Sequence, residues 1–141
     1  MTVTVPDSLT AIATVGQLRA SGHVHKTLRT EIRDNLLAAL AEGRDPWPGL
    51  HGFETTVIPQ LERALIAGHD VVLLGERGQG KTRLLRTMVG LLDEWTPVIE
   101  DSELGEHPYD PITTASLRRA ADLYEAEFGL MPLASARRLG L

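Results

Sequence analysis

The chain of 141 residues contains no cysteine, which excludes disulfides, thiolate metal sites and thiol nucleophiles and is compatible with a reducing cytosol. Basic residues are also in deficit, and the net charge of −5 argues against a general binder of nucleic acids or of anionic membrane surfaces. No apolar run approaches the ~18 residues that span a bilayer. The first residues lack the basic start and apolar stretch of a signal peptide. We therefore expect a cytoplasmic protein with neither a nucleic acid nor a membrane as its partner.

What the chain does contain is the composition of an ordinary soluble protein, with 43% hydrophobic and 23% charged residues. Its length suggests a single fold that is large enough to bury a core. There are no repeats and no low-complexity tracts, so individual motifs must carry any functional argument.

One segment is a complete phosphate-binding motif of the form G-x-x-x-x-G-K-[ST]. Its residues are Gly75, Glu76, Arg77, Gly78, Gln79, Gly80, Lys81 and Thr82. The glycines allow positive φ angles and a close approach of backbone N–H groups to phosphate oxygens. Lys81 carries a compact positive charge to the β- and γ-phosphates, and the Thr82 hydroxyl is suited to bind Mg²⁺.

The flanks of the motif favour the same interpretation. The apolar run 71–74 before it predicts a strand that is buried on both faces of a parallel sheet. After it, apolar residues at three- and four-residue spacing predict one face of a helix; they are Leu84, Leu85, Met88, Leu91 and Leu92. Strand, glycine loop and helix form the context in which this motif binds phosphate.

Periodicity also predicts helices elsewhere, over about His25–Ala41, over about Thr55–Ala67 and from Thr114 onward. Gly68 should end the second of these, and Val98–Ile99 could be a short strand. Breaker residues at 45–49 suggest a boundary between a helical N-terminal arm, 1–45, and a nucleotide-binding domain, 46–141. Residues 1–13 and the tail 134–141 show no pattern that predicts regular structure.

Three further features are interpreted as structural. Trp47 is expected to be a packing anchor, and the charged residues of the first long helix, Glu31 included, are expected to form a solvated face. The two histidines His23 and His25, if helical, would point apart and would not share a metal ion. The acidic loop that contains His107 matches no ligand template for a divalent cation and is expected to be solvated.

Two stretches of the sequence make a resemblance specific. One is the loop with its sequel, 75–86, and the other is the lead-in 47–53, which reads Trp-Pro-Gly-Leu-His-Gly-Phe. They resemble the start of an AAA+ ATPase module, of the type of the magnesium chelatase ATPase subunit and the MoxR-like proteins. The resemblance covers about Thr14 to Phe128 and implies an α/β fold, a partial P-loop unit with a parallel sheet and flanking helices.

The resemblance also implies roles for individual residues. In such proteins the segment before the second helix lines the adenine pocket, which assigns Leu50, His51 and Gly52 to the base. Gly78, Gln79, Gly80 and the catalytic Lys81 would hold phosphates. Thr82 would hold Mg²⁺, and Arg83 would begin the helix. The implied cofactors are ATP and Mg²⁺, and the family forms homo-oligomeric rings that remodel a protein partner.

One departure from the family concerns hydrolysis. The family module continues beyond this chain and needs an apolar strand that ends in an Asp-Glu pair, a polar sensor residue and an arginine finger. The pair Asp93-Glu94 follows only two leucines at the end of the predicted helix, so it does not match. The resemblance therefore implies a truncated member or a fragment.

Three function hypotheses remain after this comparison. The first is an ATP-binding segment of an AAA+ machine that couples ATP hydrolysis to remodelling or to metal insertion in a partner. The second is a nucleotide-binding or interaction module without turnover. The third, a small P-loop kinase, is disfavoured because no lid arginines are evident and because a long helical arm precedes the loop.

Overall fold

The computed structural model describes residues 4–75, 78, 80–122 and 133–137. Its helices are α1 (Asp7–Thr10), α2 (Val15–Ala20), α3 (Leu28–Ala41), α4 (Val57–Ala67), α5 (Lys81–Val89) and α6 (Thr114–Asp122), and its strands are β1 (Trp95–Ile99) and β2 (Leu133–Arg137). The chain forms two compact units, one built from residues up to His25 together with 95–137, and the other from Lys26–Glu94. The predicted arm, 1–45, is therefore shared between both units.

The second unit packs three helices around one core. Its buried members are Leu36, Trp47, Leu50, Ile58, Leu61, Leu84 and Leu91. The prediction that Trp47 is a packing anchor is confirmed, because its ring is buried and its Nε1–H donates to Glu62 Oε1 at 2.8 Å. The end of α4 is also as predicted, since Gly68 takes the left-handed conformation with φ 73°.

The segment before the glycine loop differs from the sequence-based prediction. Residues 71–74 form no strand, and the side chains of Val72 and Leu74 are 79% and 87% exposed. Only Leu73 packs against the core. The prediction of a doubly buried strand here is wrong, because a strand needs hydrogen-bonded neighbours and the described residues of this unit provide none.

Glu31 on α3 corrects a second prediction. Its side chain is only 5% exposed, and Oε1 accepts the backbone N–H of Asp93 at 2.6 Å. One turn later, Asn35 donates to the Leu91 carbonyl at 2.8 Å and to Asp93 Oδ1 at 2.9 Å. Polar residues of α3 therefore bind the chain that follows α5, because a buried carboxylate is stable only where donors meet it.

The first unit combines the N-terminal helices with a two-stranded sheet. β1 pairs with β2 in antiparallel register, with Trp95 opposite Arg137 and Ile99 opposite Leu133. Strand β1 includes the predicted Val98–Ile99, whereas α1 and β2 lie in regions where the sequence predicted no regular structure. The core of this unit contains Val15, Leu18 and Ile99, with Ile12 and Tyr109 packed against them.

A buried carboxylate organises the loop that was predicted to be solvated. Glu106 is 4% exposed, and its two oxygens accept hydrogen bonds from backbone and hydroxyl groups. The donors are Ile112 N (2.6 Å), Thr113 N (2.9 Å), Thr113 Oγ1 (2.8 Å), Ser102 Oγ (3.0 Å) and Ser116 Oγ (2.9 Å). Thr113 also caps α6, which begins at Thr114 as predicted, since its Oγ1 accepts the Ser116 N–H at 3.2 Å.

The acid sensitivity of this loop follows from the same hydrogen bonds. The Thr113 N–H, followed by the bonds from Ile112 and the hydroxyls, lowers the pKa of Glu106 from its ordinary 4.5 to about 2. A lowered pKa stabilises the fold at pH values above 4.5, and this stabilisation is lost as the pH falls through about 2. We expect the amide signals of Ile112 and Thr113 in an NMR titration to shift with a midpoint far below 4.5.

Two variants control this prediction. Glu106→Gln should remove the acidic transition of both amides and destabilise the first unit already at neutral pH, because the amide NH₂ then faces donors. Glu103→Gln, in an exposed position of the same loop, should change neither property. If the Ile112 and Thr113 amide signals of the wild type shifted with a midpoint near pH 4.5, the prediction would be contradicted.

Candidate functional site

The two described glycines directly before α5 have backbone conformations that favour glycine. Gly78 and Gly80 have φ angles of 82° and 78°, in the left-handed region that other residues rarely adopt. Helix α5 begins directly afterwards at Lys81, with Gly80 at the N-cap and no capping side chain. The first N–H groups of a helix have no partner within it, so they can bind an acceptor at this position.

The side chain of Lys81 lies over the loop rather than away from it. Its Nζ donates to the backbone carbonyl of Gly75, at the start of the motif. Helix α5 carries no acidic residue in its first turn, so no carboxylate of that turn offsets the helix dipole or the ammonium group. This end of the loop therefore presents positive charge and N–H donors together.

A cleft of about 470 Å³ in the second unit opens onto this loop. Its lining residues are Gly49, Leu50, His51, Phe53, Val57, Leu73, Leu74, Gly78, Gly80, Lys81, Arg83 and Leu84. The lead-in to α4 supplies one wall, which is mostly apolar, and the glycine loop with the first turn of α5 supplies the other. The volume lies within the ~300–1,000 Å³ that is common for small-molecule sites.

At Gly80 the two walls lie so close together that a side chain there would be crowded. A Cβ atom on Gly80 would lie 3.3 Å from Cζ and 3.4 Å from Cε2 of Phe53. The absence of a side chain therefore lets the phenyl ring lie against the loop backbone, while the positive φ excludes other residues for a second reason. Phe53 thereby fixes the distance between the apolar wall and the phosphate loop.

The charge of the cleft favours an anionic ligand with an apolar part. Lys81 and Arg83 are its basic residues, and no acidic side chain stands among the described residues that line it. At the rim of the cleft, His51 Nδ1 lies 3.9 Å from Glu54 Oε1. A ligand with a planar apolar group and phosphates would match both walls.

The structure brings together most of the residues that the sequence singled out. His51, Gly78, Gly80, Lys81 and Arg83 line the cleft, and Gly75 accepts the Lys81 hydrogen bond. Thr82 is exposed in the first turn of α5. Gly52 is not among the lining residues, and its N–H donates to Glu54 Oε2 at 2.8 Å. Glu76, Arg77 and Gln79 lie outside the described residues.

Some lining residues were not assigned to the site by the sequence. Gly49, Phe53 and Val57 belong to the wall before and within α4, while Leu73 and Leu84 approach from either side of the loop. Phe53 ends the lead-in stretch that carries the family resemblance, so its position was a usable signal. The approach of Phe53 to Gly80 depends on a contact across 27 positions, which no local pattern predicts.

The histidines form a separate cluster in the first unit. Nε2 of His23 lies 3.0 Å from Nε2 of His107, and the His25 ring stacks on His107 with centroids 3.9 Å apart. Neither His23 nor His25 is helical, so the geometry assumed for them was wrong. In the part of the chain that the structure describes, no group of three or more histidine or acidic side chains is arranged to hold a metal ion.

Comparison with protein-family models, with curated proteins and with solved structures finds no match to this chain. None of the helices in the described ranges is long and apolar enough to cross a membrane. The function is therefore argued from the cleft and its residues.

Proposed function

We propose that this chain binds ATP with Mg²⁺ in the cleft between the lead-in segment and the glycine loop, as an ATP-binding segment of an AAA+ ATPase of the magnesium chelatase or MoxR-like type. In that role it contributes to coupling ATP hydrolysis to remodelling of, or metal insertion into, a protein partner, within a homo-oligomeric ring in the cytoplasm. The fold that goes with this proposal is a partial P-loop unit.

The observation that carries the proposal is the convergence of the motif with an apolar wall. Gly78 and Gly80 adopt positive φ, α5 begins at Lys81, and Leu50 and His51 face the same cleft. Phosphates would be bound by the loop N–H groups and Lys81, while the base would lie against Leu50. Mg²⁺ needs no cage of protein ligands here, since the Thr82 hydroxyl, phosphate oxygens and waters can complete its octahedron.

The direct test is a titration of the whole chain with a fluorescent ATP analogue in the presence of Mg²⁺. Saturable binding that unlabelled ATP and ADP displace is the expected result. Binding that unlabelled ATP does not displace, or no saturable binding by a chain whose circular dichroism spectrum is helical, would refute the proposal.

Thr82→Ala tests the role assigned to the hydroxyl. We expect this variant to lose roughly tenfold or more in ATP affinity when Mg²⁺ is present, because a metal ligand is removed. In EDTA its affinity should match that of the wild type. Thr87→Ala is the matched control, since Thr87 lies in the same helix outside the cleft and its hydroxyl donates to the Arg83 carbonyl at 2.9 Å. An equal loss in EDTA would contradict metal binding by Thr82.

A second candidate function is a nucleotide-binding or interaction module without turnover. It is favoured by one observation from the sequence, namely that no apolar run followed by an Asp-Glu pair matches the family's water-activating strand. The two candidates share ATP affinity and differ in phosphate release. Phosphate release is therefore measured on this chain with and without a full-length partner. Release in the presence of the partner that Lys81→Ala abolishes would favour the first candidate, and nucleotide binding without release in either condition would favour the second.

A further inference from the structure

Arg83 reaches from helix α5 to the opposite wall of the cleft. It is the third residue of the helix and is exposed, and its side chain lines the cleft. Its Nη2 lies 3.3 Å from the point where a Cβ atom on Gly49 would stand. Because Gly49 has no side chain, the guanidinium group can rest against the backbone of the lead-in segment.

Unlike Arg29 and Arg44 of the same unit, Arg83 has no carboxylate partner among the described residues. Arg29 and Arg44 each pair with a carboxylate, Arg29 with Asp70 and Arg44 with Glu42, at 2.5 Å in both cases. Within the described ranges, Arg83 makes no such ion pair. Five N–H donors in a planar fork therefore face a cleft that has no acidic lining among those residues.

Lys81 and Arg83 serve different parts of that cleft. Two positions along a helix differ by about 200° in direction, so the two side chains diverge. Lys81 lies against Gly75 at the start of the loop, and Arg83 lies against Gly49 beside Leu50. If the base lies against Leu50 and Lys81 takes the terminal phosphates, the phosphate next to the nucleoside lies between them.

We infer that the Arg83 side chain binds the α-phosphate of the nucleotide, as a positioning contact distinct from that of Lys81. The inference rests on the proposed function and adds a role for one side chain. The guanidinium fork matches two phosphate oxygens, and such charge-assisted pairs are stronger than neutral hydrogen bonds. Gly49 contributes to this contact, because the absence of a side chain there leaves room for the guanidinium group.

The test compares Arg83→Ala with Arg86→Ala in the full chain, using ADP and ATP with Mg²⁺. Arg86 is an exposed residue of the same helix outside the cleft, so its removal changes the net charge by the same amount. Arg83→Ala should lower the affinity for ADP and the affinity for ATP by the same factor, roughly 10- to 100-fold. In ³¹P NMR of the bound nucleotide, the α-phosphorus signal should move most. Arg86→Ala should leave affinity and signals unchanged, and Arg83→Lys should restore part of the affinity.

Other results would overturn the inference. If Arg83→Ala lost much more affinity for ATP than for ADP, Arg83 would lie at the terminal phosphate instead. If the α-phosphorus signal of the bound nucleotide did not move in this variant, Arg83 would not contact the α-phosphate. Equal losses for Arg83→Ala and Arg86→Ala would show only a general field effect. A wild-type chain that binds neither nucleotide would refute the proposed function as well, whereas wild-type binding that Arg83→Ala leaves intact would overturn this inference alone.

Discussion

Replacing Lys81 with alanine is expected to lower the affinity of the chain for ATP by roughly 100-fold, the loss typical of a strong charged contact. Lys81 and Arg83 are the two Lys/Arg side chains among the described residues that line the cleft, and Lys81 lies over the loop that would hold the terminal phosphates. The loss should be larger for ATP than for AMP, because the motif lysine reaches the β- and γ-phosphates. Competition titrations against a fluorescent analogue measure each affinity.

The fold should survive this substitution. The Lys81 ammonium contacts an exposed backbone carbonyl, so its removal leaves no buried group without a partner. Arg86→Ala, which removes an equal charge from the same helix outside the cleft, is the matched control and should bind ATP like the wild type. Equal affinity of wild type and Lys81→Ala, in proteins with equal melting temperatures, would show that the ligand is not held by this loop.

Leu36→Ala is expected to destabilise the second unit by about 2–5 kcal/mol. Leu36 is 0% exposed on α3 and belongs to the core cluster that also contains Leu50 and Leu84, which line the cleft. Truncation removes buried methyl groups and leaves a cavity that its neighbours fill only in part. Against a total stability of ~5–15 kcal/mol, such a loss is large. Urea unfolding, followed by the fluorescence of the buried Trp47, measures it.

Leu40→Ala supplies the comparison, because Leu40 lies one turn later on the same helix and is 41% exposed. Its substitution should cost less than about 1 kcal/mol. Saturating ATP should raise the urea midpoint for unfolding of Leu36→Ala, since a ligand stabilises the folded state that binds it. Equal destabilisation by both substitutions would contradict the assigned packing.

Each predicted apolar stripe corresponds to a helix of the structure, but the stripes were only partly right about which leucines are buried. In α3 the four-residue spacing of Leu28, Ile32, Leu36 and Leu40, with Leu37 beside them, predicts one apolar stripe. Leu36 is buried and Ile32 packs against the core, whereas Leu28 is 60% exposed and the other buried apolar residue is Ala39. In α5, Leu84 is buried but Leu85 is 53% exposed. The spacing of apolar residues alone predicts the buried face of a helix to within a residue or two. The neighbouring elements determine which side chains of that face are buried.

The sequence by itself determined the features that depend on neighbouring residues. The positive φ of Gly78 and Gly80, the start of α5 at Lys81 and the left-handed end of α4 at Gly68 all follow from short motifs. Such features need only the conformational freedom of glycine and the hydrogen-bonding needs of helix ends. For this reason the conformation of these glycines and the start of α5 could be predicted before any tertiary contact was known.

Only the tertiary structure decided where distant segments meet. It exposed Val72 in a run that the sequence predicted to be a buried strand, and it buried the carboxylates of Glu31 and Glu106 in segments predicted to be solvated. It also set Phe53 against Gly80 and Arg83 against Gly49, which gives the cleft its two walls. Burial of an apolar run requires hydrogen-bonded neighbours, and burial of a carboxylate requires converging donors. The neighbours of the apolar run and the donor to Glu31 lie far away in the chain, so no local pattern predicts them. The donors to Glu106 lie within ten positions of it, and the fold of that loop brings them together.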